Sequence, residues 1–214
     1  MQTCEIAVYE FDELSDEAKD KVRQTFTPYD DWHEFVYQDF IEDMKELGAM
    51  VEAMWYSGFW SQGDGASWEG RVDMQAYLLH TMEDNLQREV LLQAMREGYA
   101  SNALLIRRKV GHYAHDGCMY IDDALEVYAG DEECFAGGVF AGANVVERME
   151  ALEWNENALA ELTSEVLAWA KEKAGELYKN LEAEYEYQCS DEYLKEMCDS
   201  NEYVFTEDGA LFGH

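Results

Sequence analysis

Three residues at spacing three, His112, His115 and Cys118, have the types that hold zinc. In a hairpin, however, residues three apart on one strand point to opposite faces, and Asp116-Gly117 between them is a pair that a turn requires anyway. They are weak metal candidates, and neither a metal nor another cofactor is expected. Carboxylates are abundant, but a catalytic pair needs a defined separation across a cleft, and no pair stands out among 47 acids. HEXXH, P-loop, GxSxG and dinucleotide-fingerprint motifs are all missing from the sequence. No catalytic residue is assigned, and the expectation is a protein that is not an enzyme.

Two other groups fit recognition better. Glu161, Glu165, Glu172 and Glu176 recur at helical spacing opposite an apolar stripe. Steps of four residues are about 6 Å along a helix axis, and phosphates on one DNA strand lie roughly 6–7 Å apart. A helix with carboxylates at that spacing can imitate a phosphate row. Glu34, Glu42 and Glu46 extend the same idea to an N-terminal helix. Phe59, Trp60 and Trp68 surround a polar turn holding Gln62 and Asp64. Such a cluster is either core or a binding hot spot.

The elements that must position these groups follow from periodicity. Cys4–Phe11 alternates like a strand. Leu14, Ala18, Val22 and Phe26 recur every four residues behind Ser15, an N-cap type, and this helix ends before Pro28, the single proline. Trp32, Phe35, Val36, Phe40, Met44 and Leu47 stripe a second helix over 31–47. Residues 50–60 and 68–73 read as an aromatic hairpin turned at 61–67, and 102–113 with 118–128 as a second one. A helix over 74–97 separates the hairpins, and a Gly-rich loop follows at 130–142. A long helix is marked by Leu159, Leu162, Val166, Trp169, Lys173 or Ala174, Leu177 and Leu181. A short helix at 191–199 and a strand at Tyr203–Phe205 complete the chain. The expectation is one α+β domain over 1–214: two antiparallel β-hairpins packed by amphipathic helices, with a long acidic C-terminal helix.

Charge narrows the function further. Over 214 residues, 47 Asp and Glu face 15 Lys and Arg, for a net charge of -32. Such a surface repels phosphates, so direct binding to nucleic acid or to an anionic membrane is disfavoured. With 48 % apolar and 14 % aromatic residues, the chain is too hydrophobic for acidic disorder. The charge is concentrated: 1–48 carries -10, 49–121 only -3, and 122–214 carries -19. The acidic helical parts are thus 12–48 and 143–200, around a near-neutral β-rich middle at 49–128 that holds the cluster Arg107, Arg108 and Lys109. Adaptation to high salt would also enrich acids. Five scattered cysteines, Cys4, Cys118, Cys134, Cys189 and Cys198, without a CxxC pair fit reduced thiols in a cytoplasm. An N-terminal signal and an 18-residue apolar run are both missing, which agrees with that location.

Several runs carry a resemblance. Tyr9-Glu10-Phe11-Asp12-Glu13-Leu14-Ser15-Asp16-Glu17-Ala18-Lys19, the run SGFWSQGDGASWEG over 57–70, His112-Tyr113 with Cys118-Met119, Tyr185-Glu186-Tyr187 and Phe205-Thr206-Glu207-Asp208-Gly209 resemble, in the same order, a family of small phage and prophage proteins. Some members are labelled antitoxins of a toxin–antitoxin stability system. The resemblance implies a phage setting and brings no catalytic residues with it. Joined to the charge, it leads to an expected function: stoichiometric inhibition of a host defence nuclease, as acidic anti-restriction and anti-CRISPR proteins do. The partner would be a host nucleic-acid-binding protein in the host cytoplasm, with no membrane and no direct nucleic acid. The aromatic hairpin leaves room for a homodimer. The alternatives are an antitoxin-like protein that neutralises a basic toxin, and a small-molecule or metal binder built on the aromatic hairpin.

Overall fold

Helix α1 (Asp16–Thr25) starts where Ser15 stands, because the Ser15 hydroxyl accepts the Ala18 N–H. Asp16 and Glu17 in its first turn complement the helix dipole. The structure, a computed structural model, describes residues 6–28, 30–111, 113–128 and 139–213, with side chains of the last segment described from Val145. Its contacts form two compact units, Met1–Val36 with Asn180–His214, and Tyr37–Lys179.

In the first unit α1 buries Ala18 and Val22 in a core with Phe11, Leu14, Leu194, Cys198 and Phe205. Phe11 sits in a 3-10 turn at Phe11–Glu13. Leu194 and Cys198 come from a helix over Asp191–Ser200, begun by Ser190, whose hydroxyl accepts the Tyr193 N–H. Ion pairs brace the rim. Arg23 donates from Nε and Nη2 to the two oxygens of Asp191, both at 2.7 Å, Lys21 meets Asp208 at 3.3 Å, and Lys195 meets Asp12. Among the described residues of the expected strands at 4–11 and 203–205, only isolated bridges at Tyr9 and Phe205 form. Tyr9 and Phe205 exchange both backbone hydrogen bonds at 2.8 Å, and Phe205 bridges on its other side to Leu211. Ile6 and Val8 are exposed. Cys4 lies outside the described residues.

The second unit is built on a four-stranded antiparallel sheet in sequence order: β1 (Ala49–Tyr56), β2 (Ala66–Asp73), β3 (Ala103–Arg108) and β4 (Met119–Ile121). The two expected hairpins are therefore β1–β2 and β3–β4, joined edge to edge by β2–β3 pairing from Gly70↔Ile106 to Asp73↔Ala103. Gly70 sits where the β1 register shifts between Val51 and Ala53. A Cβ there would meet the Met50 carbonyl oxygen at 2.1 Å, so the close approach demands glycine.

The helix expected over 74–97 is two helices, α3 (Met74–Thr81) and α4 (Leu86–Glu97). Met82 is extended, and Asn85 restarts the helix by accepting the Arg88 N–H. Asp73 caps α3, accepting the amides of Gln75 and Ala76. Helix α2 (Glu34–Glu46) buries Val36, Phe40 and Met44. Phe35, expected in that stripe, is 52 % exposed, because it falls about 100–180° away from those three at about 100° per residue. Of the Gly-rich segment at 130–142, residues 130–138 lie outside the described ones, and Val139 already begins α5 (Val139–Ala151).

Helix α6 (Glu156–Gln188) spans 33 residues. Asn155 begins it, accepting the amides of Asn157 and Ala158. Leu159, Leu162, Val166, Ala170, Ala174, Leu177 and Leu181 form its buried stripe. Trp169, expected in that stripe, is half-buried at its margin, edge-on to Trp68 and Tyr77. Among the described residues no helix is long and apolar enough to cross a membrane.

Candidate functional site

The four α6 glutamates are exposed while the opposite side of the helix is locked into the core. At about 100° per residue, Glu161, Glu165, Glu172 and Glu176 fall within an arc of roughly 60° and span roughly 22 Å of helix axis. Ala168 occupies the gap in this row, and Lys179, on the same arc, ends it. Lys173 donates to Glu176 at 2.7 Å, so that carboxylate is partly compensated. Glu34, Glu42 and Glu46 of α2 are also exposed. They spread over roughly 120° of that helix and make a looser row.

The aromatic hairpin divides between core and surface. Trp68 is fully buried and donates its indole N–H to the Ala170 carbonyl at 3.0 Å. It faces Phe40 and Trp169 edge-on, so it is a core residue and not a partner contact. Phe59 is half-buried, stacked on Tyr56 and tilted against Tyr178. Trp60 is 74 % exposed, and Gln62 is exposed beside it. Asp64 accepts the Ser61 N–H at 2.6 Å, so its carboxylate holds the turn together.

Residues the sequence did not single out complete this tip. The loop before β4 folds against the β1–β2 loop: the Ala114 N–H donates to the Ser57 hydroxyl at 3.2 Å, and the Tyr113 ring lies where a Gly63 Cβ would be 3.1 Å away. Gly63 has φ +95, so it is needed both for its backbone and for this contact. Tyr113 is 43 % exposed and Val110 is 97 % exposed. Trp60, exposed and edge-on to Phe59, has the residue type and exposure of a binding anchor. The run SGFWSQGDGAS therefore has two jobs, with the Gly and Asp residues shaping a tip and Trp60 displayed on it.

The metal candidates do other work. His115 Nδ1 accepts the Gly117 N–H at 3.0 Å, which caps a 3-10 turn at Asp116–Cys118. The Cys118 thiol points to the Tyr113 carbonyl at 3.6 Å. His112 lies outside the described residues, and among those described no group of three His, Cys, Asp or Glu is placed to hold a metal ion. The basic cluster is likewise engaged. Arg107 lies 3.8 Å from Asp122 and 4.0 Å from Glu52. Arg108 stacks on Trp55 at 4.9 Å, and Lys109 sits over Tyr120 at 5.9 Å. Arg107 and Arg108 lie at the end of β3, and Lys109, just beyond it, is exposed.

An α+β protein with an exposed acidic helix row and a shaped aromatic tip is what the fold and these surfaces define. The chain belongs to the family described as a domain of unknown function (DUF8835), which matches residues 32–191 and so takes in the whole sheet, the tip and the α6 glutamates. No curated protein and no solved structure matches the chain.

Proposed function

We propose that this is a phage-encoded stoichiometric inhibitor of a host defence nuclease, an anti-restriction or anti-CRISPR protein that occupies a DNA- or RNA-binding groove as an acidic mimic. The observation that carries the reading is the row Glu161, Glu165, Glu172 and Glu176, exposed on a helix whose other side is fixed in the core. Fixed carboxylates lose little freedom when a basic groove closes on them, and charge complementarity speeds the encounter. The net charge of -32 speeds the encounter with such a groove at low salt, where screening is weak. Trp60, Val110 and Tyr113 supply apolar contact that charge alone cannot. The mechanism uses no catalytic residue and acts in the host cytoplasm.

The test is capture from host lysate at low and high salt, with a chase by duplex DNA and by RNA. The expected result is a nucleic-acid-binding protein retained at low salt, displaced by nucleic acid, and lost with E161Q/E165Q/E172Q/E176Q. Retention of no such protein at low salt, or capture indifferent to the four substitutions, overturns the proposal.

A further inference from the structure

We infer that the cleft formed by α4 and α5 is a binding site for a small oxyanion, a phosphate or carboxylate group. The chain has seven arginines, and three of them, Arg88, Arg96 and Arg148, line this one cleft of about 400 Å³. That volume is in the range of small-molecule sites.

The three guanidiniums are incompletely used. Arg88 spends Nη1 on the Met82 carbonyl at 3.0 Å and Nη2 on Asp84, while its Nε is buried with no hydrogen-bond partner. Arg148 donates Nη1 to the neutral Gln93 amide oxygen at 2.9 Å, and that same Gln93 donates to Glu97 at 2.8 Å. Arg96 takes part in no ion pair among the described residues. In a chain where acids outnumber bases threefold, a local carboxylate partner would be easy to supply. A guanidinium has five donors in a fork that fits carboxylate and phosphate oxygens.

Long-range repulsion from the acidic surface does not decide the matter. At physiological ionic strength charges beyond about 8 Å are largely screened. Within the cleft, three arginines face Asp84 and Glu89, a net of one positive charge. Leu79, 54 % exposed, forms an apolar wall beside them, which suits an anion carried on an organic body. This inference is independent of the proposed inhibitor function, since it uses neither the α6 row nor the aromatic tip.

The experiment follows arginine side-chain N–H resonances of the full chain during titration with inorganic phosphate, with phenyl phosphate, and with chloride at matched ionic strength. Saturable shifts with the phosphates but not with chloride are expected. R96Q/R148Q should weaken binding at least tenfold, and E89Q should tighten it severalfold. Tighter binding of phenyl phosphate assigns the site to an organic anion, and equal affinities assign it to free phosphate. Shifts that follow ionic strength whatever the anion overturn the proposal, as does an affinity unchanged in both variants. Should R96Q/R148Q fail to fold, E89Q alone decides, because Glu89 is exposed.

Discussion

The indole N–H of Trp68 reaches the carbonyl of Ala170 at 3.0 Å and ties β2 to the middle of α6 across 102 residues of sequence. Small side chains on the helix, Ala170 and Ala174, leave room for the ring to approach. The same contact fixes which side of α6 faces inward, and therefore which side displays its glutamates.

Trp68 and Trp60 should consequently respond in opposite ways. Trp68→Ala removes a buried ring and a buried hydrogen bond, and is expected to cost about 3–5 kcal/mol. Trp60→Ala, at a surface position, should stay within about 0.5 kcal/mol of the parent. Urea unfolding measures both. In the capture assay Trp60→Ala should weaken retention of the target about tenfold or more, as removal of a hot-spot residue does.

Acid should dismantle one ion pair in the first unit. Hydrogen bonds from Arg23 hold the Asp191 carboxyl below its usual value. A carboxylate lowered in this way contributes stability above its unfolded value of about 3.9, and that contribution disappears as pH falls through the lower folded value. Both side chains are partly exposed, so Asp191→Asn should cost only about 0.5–1 kcal/mol at pH 7. Unfolding curves of parent and variant should converge as the pH drops towards 2.

Thiol chemistry should separate the described cysteines, all free. Burial pushes the Cys198 thiol up to about 11, with Asp199 adding to the effect. The thiolate is the reactive form, so Cys198 should label only when the chain unfolds, whereas exposed Cys189 should label at once. Peptide mapping after timed alkylation at pH 8, with and without urea, reads the difference.

Gly70→Ala should weaken the sheet where β1 changes register. The new methyl would meet a backbone oxygen of β1, which cannot swing aside as a flexible side chain would. The expected cost is about 1–3 kcal/mol, with loss of amide protection in β1 before β3 in hydrogen exchange.

What could be read from the residues depended on how local the cause was. Helix α1 was legible, since Ser15, Ala18 and Val22 declare start and face within about two turns. The two hairpins and the α+β class were legible from alternation and turn residues. The break at Met82–Asn85 was hidden, because apolar residues on both sides keep a helical period through it. Trp68 and Trp60 have the same composition around them, and only the contact of Trp68 with Ala170, a hundred residues away, tells core from surface. Tyr113 against Gly63 is equally non-local. The division into two units left no mark, since the chain passes from one to the other inside α2 and α6, where no linker is present to be read.

The first unit draws on both ends of the chain, with 143 residues of the second unit between them. On a ribosome α1 is made before the helix over Asp191–Ser200. At about 5–20 residues per second, Ala18 and Val22 of α1 must wait roughly 10–40 s for Leu194, Cys198 and Phe205 to be synthesised.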